Sequence, residues 1–131
     1  MAAYLLDTGI LIRHLLGRKV VVHMLRALGS RDVLAISAVT RAEIRAGVHQ
    51  EEDQATRRLL ARLKTMPVDA EIADRAGDLI LRARRQGRAL HLADALIAAT
   101  AVLQRLRLIT LNRSDIEGLG ISLYPLPDDL I

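Results

Sequence analysis

Short apolar runs alternate with amphipathic stretches along the whole chain. Five of these runs have the length of β-strands and end at polar or turn-forming residues, which predicts buried strands. The predicted strands are residues 2–6, 33–36, 66–68, 106–111 and 121–124. The intervening stretches carry their apolar residues at spacings of three and four, which predicts helices that bury one face.

The predicted helices begin and end at recognisable signals. Ser37 can cap the helix that follows it, and Gly17, Gly29, Gly47 and Gly87 stand where helices stop. The predicted helices are residues 10–16, 20–28, 38–46, 51–64, 70–85 and 91–105, with a one-turn helix near 112–117. Because strands and helices alternate, we expect an α/β fold of three layers, in which helices flank a mainly parallel central sheet.

Length and composition narrow the kinds of protein that this chain can be. A chain of 131 residues has the size of one ordinary domain, so a single domain over residues 1–131 is expected. The absence of cysteine excludes thiol chemistry. The first residues do not resemble a signal peptide, and no apolar run reaches about 18 residues, so we expect a cytoplasmic protein without a membrane partner.

The charge of the chain favours a polyanionic partner. The net charge is +4 and the pI is near 10.3, as in many proteins that bind nucleic acid or acidic proteins. A solvated, arginine-rich surface without a partner would give the same net charge and pI. The aromatic content is 2%, so base stacking is disfavoured and arginine contacts to phosphate are expected instead. The arginines nearest in sequence to the acidic residues discussed below are Arg13, Arg41, Arg45 and Arg88.

Asp94 is the most informative acidic residue. It is the only formal charge between residues 89 and 104, a stretch so apolar that its helix should lie at the centre of the fold. Burying an unpaired carboxylate costs several kcal/mol even after relaxation, so Asp94 needs a cation, a group of hydrogen-bond donors or a path to water. An acid in a first helical turn, stabilised by the helix dipole, is the alternative explanation.

Asp7 and Glu43 also have two possible roles each. Asp7 follows the first strand, at the edge where parallel α/β sheets bind ligands, although aspartate at this position also often caps the next helix. Glu43 has alanine and valine neighbours on its helix, so we expect it to face apolar surroundings. Glu43 can alternatively close a capping box with Thr40, but Ser37 is better placed to be the cap.

Asn112 and Asp115 follow the fourth predicted strand. Their spacing is also that of a reciprocal helix cap. Carboxylates that converge repel one another unless a cation lies between them, and ligands that are all oxygen atoms favour Mg²⁺ or Mn²⁺. The four histidines lack the spacing of a zinc site, and we expect surface or partly buried imidazoles. These histidines are His14, His23, His49 and His91.

These residues lie in four motifs whose order and separation resemble the PIN-domain proteins, specifically the VapC-type toxin ribonucleases of bacterial toxin–antitoxin modules. The motifs extend over essentially the whole chain and are LLDT at 5–8, SAVTRAEI at 37–44, HLADALIAA at 91–99 and TLNRSDI at 110–116. The resemblance implies a parallel sheet flanked by helices, in agreement with the alternation of elements. The last motif departs from the common pattern, because Ile116 stands where an aromatic residue is usual.

The resemblance implies a metal-dependent endoribonuclease that acts as the toxin of a toxin–antitoxin system. Asp7, Glu43 and Asp94 match the three invariant acids, and Asp115 matches the more variable fourth. Mg²⁺ or Mn²⁺ is expected chiefly on Asp7 and Asp94, with Asp115 or Asn112 completing the set of ligands. RNA phosphodiester hydrolysis is the expected reaction, and tRNA, rRNA and mRNA are all open as targets.

Further roles and partners follow from the same resemblance. Glu43 is expected to orient or deprotonate the attacking water, and Thr8 to support the site with a hydrogen bond. A cognate antitoxin and a homodimer are expected. A neutralising partner is expected to direct an arginine at the acids and to lay an apolar helix between helices 10–16 and 51–64.

Two other functions compete with this interpretation. An aspartyl-phosphate phosphatase or a receiver domain also begins with an aspartate at a strand end. The phosphatase needs a second acid where Gly9 stands, and the receiver domain needs an early acidic pair and a late lysine. A catalytically silent PIN-like module that binds RNA or protein is the other alternative, and the three intact acids count against it.

Overall fold

The computed structural model describes residues 2–47, 53–127 and 130. Within these ranges the chain forms a four-stranded sheet with helices on both faces. The strands are β1 (Ala2–Leu6), β2 (Val33–Ser37), β3 (Lys64–Met66) and β4 (Arg107–Ile109). The helices are α1 (Thr8–Leu15), α2 (Lys19–Gly29), α3 (Ala38–Gly47), α4 (Asp53–Arg62), α5 (Ala70–Arg85), α6 (Leu92–Leu103) and α7 (Arg113–Ile116).

The sheet is parallel throughout and has the strand order β3-β2-β1-β4. Because every strand runs the same way, the residues that follow β1, β2 and β4 emerge at one edge of the sheet. The first strand lies between the second and the last, so residues far apart in sequence become neighbours there. The predicted α/β architecture with a parallel sheet between helical layers is confirmed.

Each face of the sheet has its own apolar core, and β1 contributes to both. Adjacent residues of a strand point to opposite faces. Leu5 pairs in register with Ala35 and Leu108, and these three belong to the core that α5 and α6 cover. Leu6 pairs with Ile109 and belongs to the core that α1, α2 and α4 cover. Leu5 and Leu6 are both fully buried, so a one-residue slip of β1 would exchange the two cores.

Helix α6 is the central helix that its apolar sequence predicted. Its buried residues include Ala95 and the continuous run 97–101, so the helix is enclosed on nearly every side. Ser37 caps α3 as predicted, since its Oγ accepts a hydrogen bond from the Val39 amide at 3.0 Å. In the described ranges, none of the helices has the length and apolarity needed to cross a membrane.

Several predicted elements differ from the structure, and the strand predicted at 106–111 is the shorter β4, Arg107–Ile109. The third strand is Lys64–Met66 rather than residues 66–68, because Pro67 has no amide hydrogen to continue the ladder. The strand predicted at 121–124 reduces to a single parallel bridge between Leu108 and Leu123, and Pro125 follows at once. The predicted helix 51–64 is α4, which ends at Arg62, while residues 51 and 52 and His49 lie outside the described residues.

Candidate active site at the carboxyl edge of the sheet

Asp7 lies where β1 and β4 end side by side. Its amide donates to the Ile109 carbonyl at 3.0 Å, which ties the first residue after β1 to the last residue of β4. Its carboxylate accepts from the Thr8 amide at Oδ1, at 2.8 Å, and from the Thr110 hydroxyl at Oδ2, at 2.5 Å. Asp7 is therefore the N-cap of α1 and also faces the edge of the sheet, so the two roles predicted for this position are compatible.

The environment of Asp7 disfavours its charged form. Burial raises the pKa of the Asp7 carboxyl above its ordinary value, and the charge of Glu43 raises it further. The hydrogen bonds from Thr110 and Thr8 act in the opposite direction. A carboxylate has about four lone-pair sites, and these two bonds use two of them, so Asp7 retains acceptor capacity for another ligand.

Asp94 lies in the first turn of α6 and is half-buried. The side-chain Nδ2 of Asn112 donates to Asp94 Oδ2 at 3.3 Å. Burial raises the pKa of the Asp94 carboxyl, and the charges of Asp7, Glu43 and Asp115 raise it as well, whereas His91 lowers it. Asp94 therefore sits close enough to the three other acids for each to disfavour its ionisation.

Glu43 differs from the expectation that it faces apolar surroundings. The α3 residues that enter the core are Thr40 and Ile44, and Glu43 is exposed beside them. The Thr8 hydroxyl donates to Glu43 Oε1 at 2.8 Å and lies 3.0 Å from the Thr40 hydroxyl. Because a hydroxyl has one hydrogen, Thr8 must accept from Thr40 while it donates to Glu43. The predicted supporting bond of Thr8 is present, and its acceptor is Glu43.

Asn112 and Asp115 do not form the reciprocal cap that their spacing allowed. Asn112 occupies the N-cap position of α7, but its side chain donates to Asp94 instead. Its amide donates to the Thr110 hydroxyl at 3.0 Å, which fixes the turn between β4 and α7. Asp115 is half-buried in α7, and its charge raises the pKa of Asp94.

Asp7 and Asp94 line one small cleft. The cleft has a volume of about 10 Å³, which is about the room for one water molecule, and its other walls are Thr110, Asn112, Ile97, Leu108 and Ile116. The polar side chains among these residues carry carboxylate, hydroxyl and amide oxygens, which is the ligand chemistry of Mg²⁺ and Mn²⁺. Over the described residues, however, no group of three or more acidic or histidine side chains is gathered closely enough to hold one ion together. The donor chemistry fits a hard divalent ion, and Asp7 and Asp94 are the two acids on the shared cleft.

Three residues of this region were not predicted to support the acids. Thr110 is 2% exposed, and its hydroxyl donates to Asp7 and accepts from the backbone amide of Asn112. Thr40 is fully buried and supports Thr8, and the charge of His91 lowers the pKa of Asp94. The sequence offers one indication, and it concerns Thr110: this residue directly follows a strand, as Asp7 does, so both lie at the carboxyl edge of the sheet.

The arginines near the motifs are mostly engaged within the chain. Arg41 donates to the Thr65 hydroxyl at 3.1 Å, and Arg45 pairs with Asp53 at 2.8 Å. Arg88 donates to backbone carbonyls of α7. Arg41 and Arg45 are nevertheless exposed, so their guanidinium groups remain accessible to phosphate.

Known proteins of similar sequence identify the family. Residues 4–117 match the model of the PIN domain family. Ribonuclease VapC10 of Mycobacterium tuberculosis is 42% identical over 108 residues, which cover 82% of this chain and 81% of that protein. Ribonuclease VapC19 of the same organism is 33% identical over 82% of this chain and 87% of its own.

A solved structure agrees with the sequence relatives. One chain of a toxin–antitoxin complex from Klebsiella pneumoniae superposes with a TM-score of 0.81 at 34% identity, covering 95% of this chain and 98% of that one. Sequence and fold thus lead to one conclusion. The family model spans most of the sequence and the VapC ribonucleases are similar over 82% of it, so this chain belongs to the PIN domain family.

Proposed function

We propose that this protein is an endoribonuclease that acts as the toxin of a toxin–antitoxin system. Its relatives are ribonucleases by name, and its structural neighbour is part of a toxin–antitoxin complex. The observation that carries the proposal is that Asp7 and Asp94 share one cleft at the carboxyl edge of the sheet, while Glu43 and Asp115 are near enough for their charges to act on Asp94. Carboxylates that repel one another are stabilised by a bound cation, and the same cation can offset the negative charge of an RNA phosphate.

We further propose that Mg²⁺ or Mn²⁺ is the cofactor. Asp7 and Asp94 would hold the ion, with Asp115 or Asn112 as the remaining ligand. When bound, such an ion lowers the pKa of a water and neutralises charge that develops on the phosphoryl group. The supporting observations are the oxygen-only donor set and the acceptor capacity that Asp7 retains.

The chain's own groups prepare the site for this reaction. Glu43 is the exposed carboxylate, and its bond from Thr8 fixes one oxygen while the other can orient the attacking water or take its proton. Thr110 and the Thr8 amide set the rotamer of Asp7. Asn112 does the same for Asp94. Arg41 and Arg45 are the exposed cations nearest to Glu43 in sequence and are proposed to contact RNA phosphates.

The test is cleavage of total RNA by purified protein, with Mg²⁺, with Mn²⁺ and with excess chelator, followed by mapping of new ends. We expect defined cleavage sites that require the ion and disappear in Asp94→Asn protein of unchanged fold. Equal cleavage in chelator would contradict the metal proposal. RNA that is bound but left intact under every ion would support the silent binding module instead.

The antitoxin proposal rests on an opening away from Asp7 and Asp94, whose walls combine leucines with charged side chains such as Arg26, Asp32 and Arg62. A cavity of about 510 Å³ lies between α1, α2 and α4, and Leu11, Leu25 and Leu59 are among its walls. Ile12 and Leu16 expose further apolar surface nearby, at 46% and 65%. The cavity lies between the helices predicted at 10–16 and 51–64, and we propose that an apolar helix of the antitoxin occupies it.

Calorimetric titration with the co-encoded partner, with and without Mn²⁺, tests how that partner inhibits. Weaker binding in the presence of the ion is expected if the partner also directs an arginine at Asp7 and Asp94. An affinity independent of the ion would exclude the arginine contact with Asp7 and Asp94 and leave the cavity as the only proposed contact.

We also propose that the protein is a homodimer. Light scattering at several protein concentrations tests this by measuring the mass of the particle.

A further inference from the structure

Arg88 links the connection between α5 and α6 to the segment that carries Asp115. Its Nη1 donates to the Ser114 carbonyl at 3.2 Å and to the Asp115 carbonyl at 3.3 Å. Its Nη2 donates to Gln86 Oε1 at 2.5 Å, within the same connection. Arg88 is partly buried, so its bonds to α7 are less exposed to solvent than those of a fully exposed surface side chain.

Helix α7 needs support from outside itself. It has four residues, and the last carbonyls of any helix have no partner within that helix. Two of these carbonyls are the ones that Arg88 binds, and a cation at a helix carboxyl end is favourable. The side chain that could have capped its beginning, Asn112, is directed to Asp94 instead.

The chain after α7 lies beside Arg88 and Arg82. Gly118 and Gly120 have φ angles of +79° and +82°, which favour glycine. A Cβ built on Gly118 would lie 4.0 Å from Arg88 Nη2. Arg82, also on the α5 side, donates to the Leu119 carbonyl at 3.4 Å. Two guanidinium groups thus hold the backbone on either side of Gly118.

The bonds from Arg88 to α7 go to backbone oxygens and leave the Asp115 carboxylate available. We infer that Arg88 is a positioning residue that holds α7, and with it Asp115, beside the first turn of α6, where the Asn112 side chain is bonded to Asp94. This inference rests on the proposed function, because it assigns Asp115 to the working site. Arg88 acts through the backbone and is not proposed to touch RNA or a metal ion.

The experiment compares Arg88→Met and Arg88→Lys with Arg85→Met, which removes the same charge from an exposed position at the end of α5. The first readout is hydrogen exchange of the Glu117 amide, which donates to the Arg113 carbonyl at 2.9 Å within α7. We expect at least about tenfold faster exchange in Arg88→Met, a smaller change in Arg88→Lys, and no change in Arg85→Met, because exchange reports local opening of α7.

The second readout is RNA cleavage per folded molecule. Arg88→Met should lower turnover by about 10- to 100-fold, as losses of supporting bonds around ligands do, with KM changed by less than about twofold. In an Asp115→Asn background the same substitution should add less than about twofold, since coupled residues are not additive. Arg88→Lys should recover part of the loss.

The outcomes separate this inference from the proposed function. If wild-type protein cleaves RNA but Arg88→Met matches Arg85→Met in exchange and turnover, the inference is wrong. Full additivity with Asp115→Asn would also overturn it, because Arg88 would then act elsewhere. If wild-type protein cleaves no RNA, the proposed function fails, and unchanged exchange in Arg88→Met would still refute the contact with α7.

Discussion

At the scale of single residues, the acids were predictable and their partners were not. Asp94 stood out because a lone charge in an apolar helix requires an explanation. Thr110 and Thr40 are ordinary threonines in sequence, and their importance depends on which side chains the fold brings to them. Glu43 shows the limit most clearly, since its helical neighbours indicated an apolar face but its contact is the Thr8 hydroxyl.

Asp94→Asn should abolish most turnover while the metal-free protein keeps or gains stability. Burial and three nearby acids raise the pKa of Asp94, so the folded state binds protons more tightly than the unfolded chain. This contribution to stability is full at low pH and is lost as pH rises through the raised pKa of Asp94. Above that pKa the ionised carboxylate destabilises the folded state. Asparagine carries no such charge. Thermal unfolding in chelator at pH 4 and pH 7.5 measures the effect.

The stability gain of Asp94→Asn over wild type should be larger at pH 7.5 than at pH 4. Glu71→Gln, an exposed acid on α5, is the matched control and should show little difference. A gain that is the same at both pH values, or a clear loss at pH 7.5, would contradict the account of Asp94 as a strained carboxylate.

Thr8→Val should lower turnover by about 10- to 100-fold, because it removes the hydrogen bond that orients Glu43. Thr8→Ser keeps the hydroxyl and should stay near wild type. The backbone amide of residue 8 still donates to the Asp7 carboxylate in both variants, so the comparison isolates the side chain of residue 8. The measurement is steady-state cleavage of one RNA by wild type, Thr8→Val and Thr8→Ser. Equal rates for the two variants would contradict a supporting role of the Thr8 hydroxyl.

At the scale of elements, strong periodicity and clear stop signals gave good boundaries. Helix α5 was predicted at its observed limits, and its N-cap, Asp69, accepts from the Ile72 amide at 2.9 Å. The short strands were harder to place, because a three-residue strand is defined by its partner rather than by its own pattern. Thus β3 begins at Lys64, which pairs with Ala35, although the local sequence favoured a later start.

His14 lies on α1, which packs against α2. Because this packing partly buries its imidazole, we expect the free energy of unfolding to depend on pH through His14. In the described part of the chain, His14 Nδ1 is buried without a hydrogen-bond partner. Burial, and then the charge of Arg26, lowers the pKa of His14, so the unfolded chain binds a proton more readily. Stability should therefore be full above the ordinary pKa of 6.5 and fall as pH drops below it.

Denaturant unfolding between pH 5 and pH 7.5 tests this expectation. His14→Gln should flatten the lower part of the profile relative to wild type, whereas His23→Gln, an exposed histidine on α2, should leave it unchanged. A profile of His14→Gln that parallels wild type would show that another group causes the pH dependence.

At the scale of the whole molecule, the strand order creates the candidate site. The alternation of elements predicted a parallel sheet, but it did not predict the order β3-β2-β1-β4. That order places β1 beside β4, which brings Asp7 within hydrogen-bond distance of Thr110 across 103 residues of sequence. A pairing this distant follows from how the two cores pack, so only the assembled fold shows which acids meet.

The single-turnover rate of RNA cleavage, measured against Mn²⁺ concentration for wild type, Asp7→Asn and Asp94→Asn, tests whether cleavage needs an ion held by these two acids. We expect a wild-type rate that saturates with the ion and is zero in chelator. Each variant should be slower by at least about 100-fold at every concentration, since both acids are proposed to hold the ion. A wild-type rate independent of Mn²⁺, or variants with wild-type rates, would contradict a metal-dependent reaction at the carboxyl edge of this sheet.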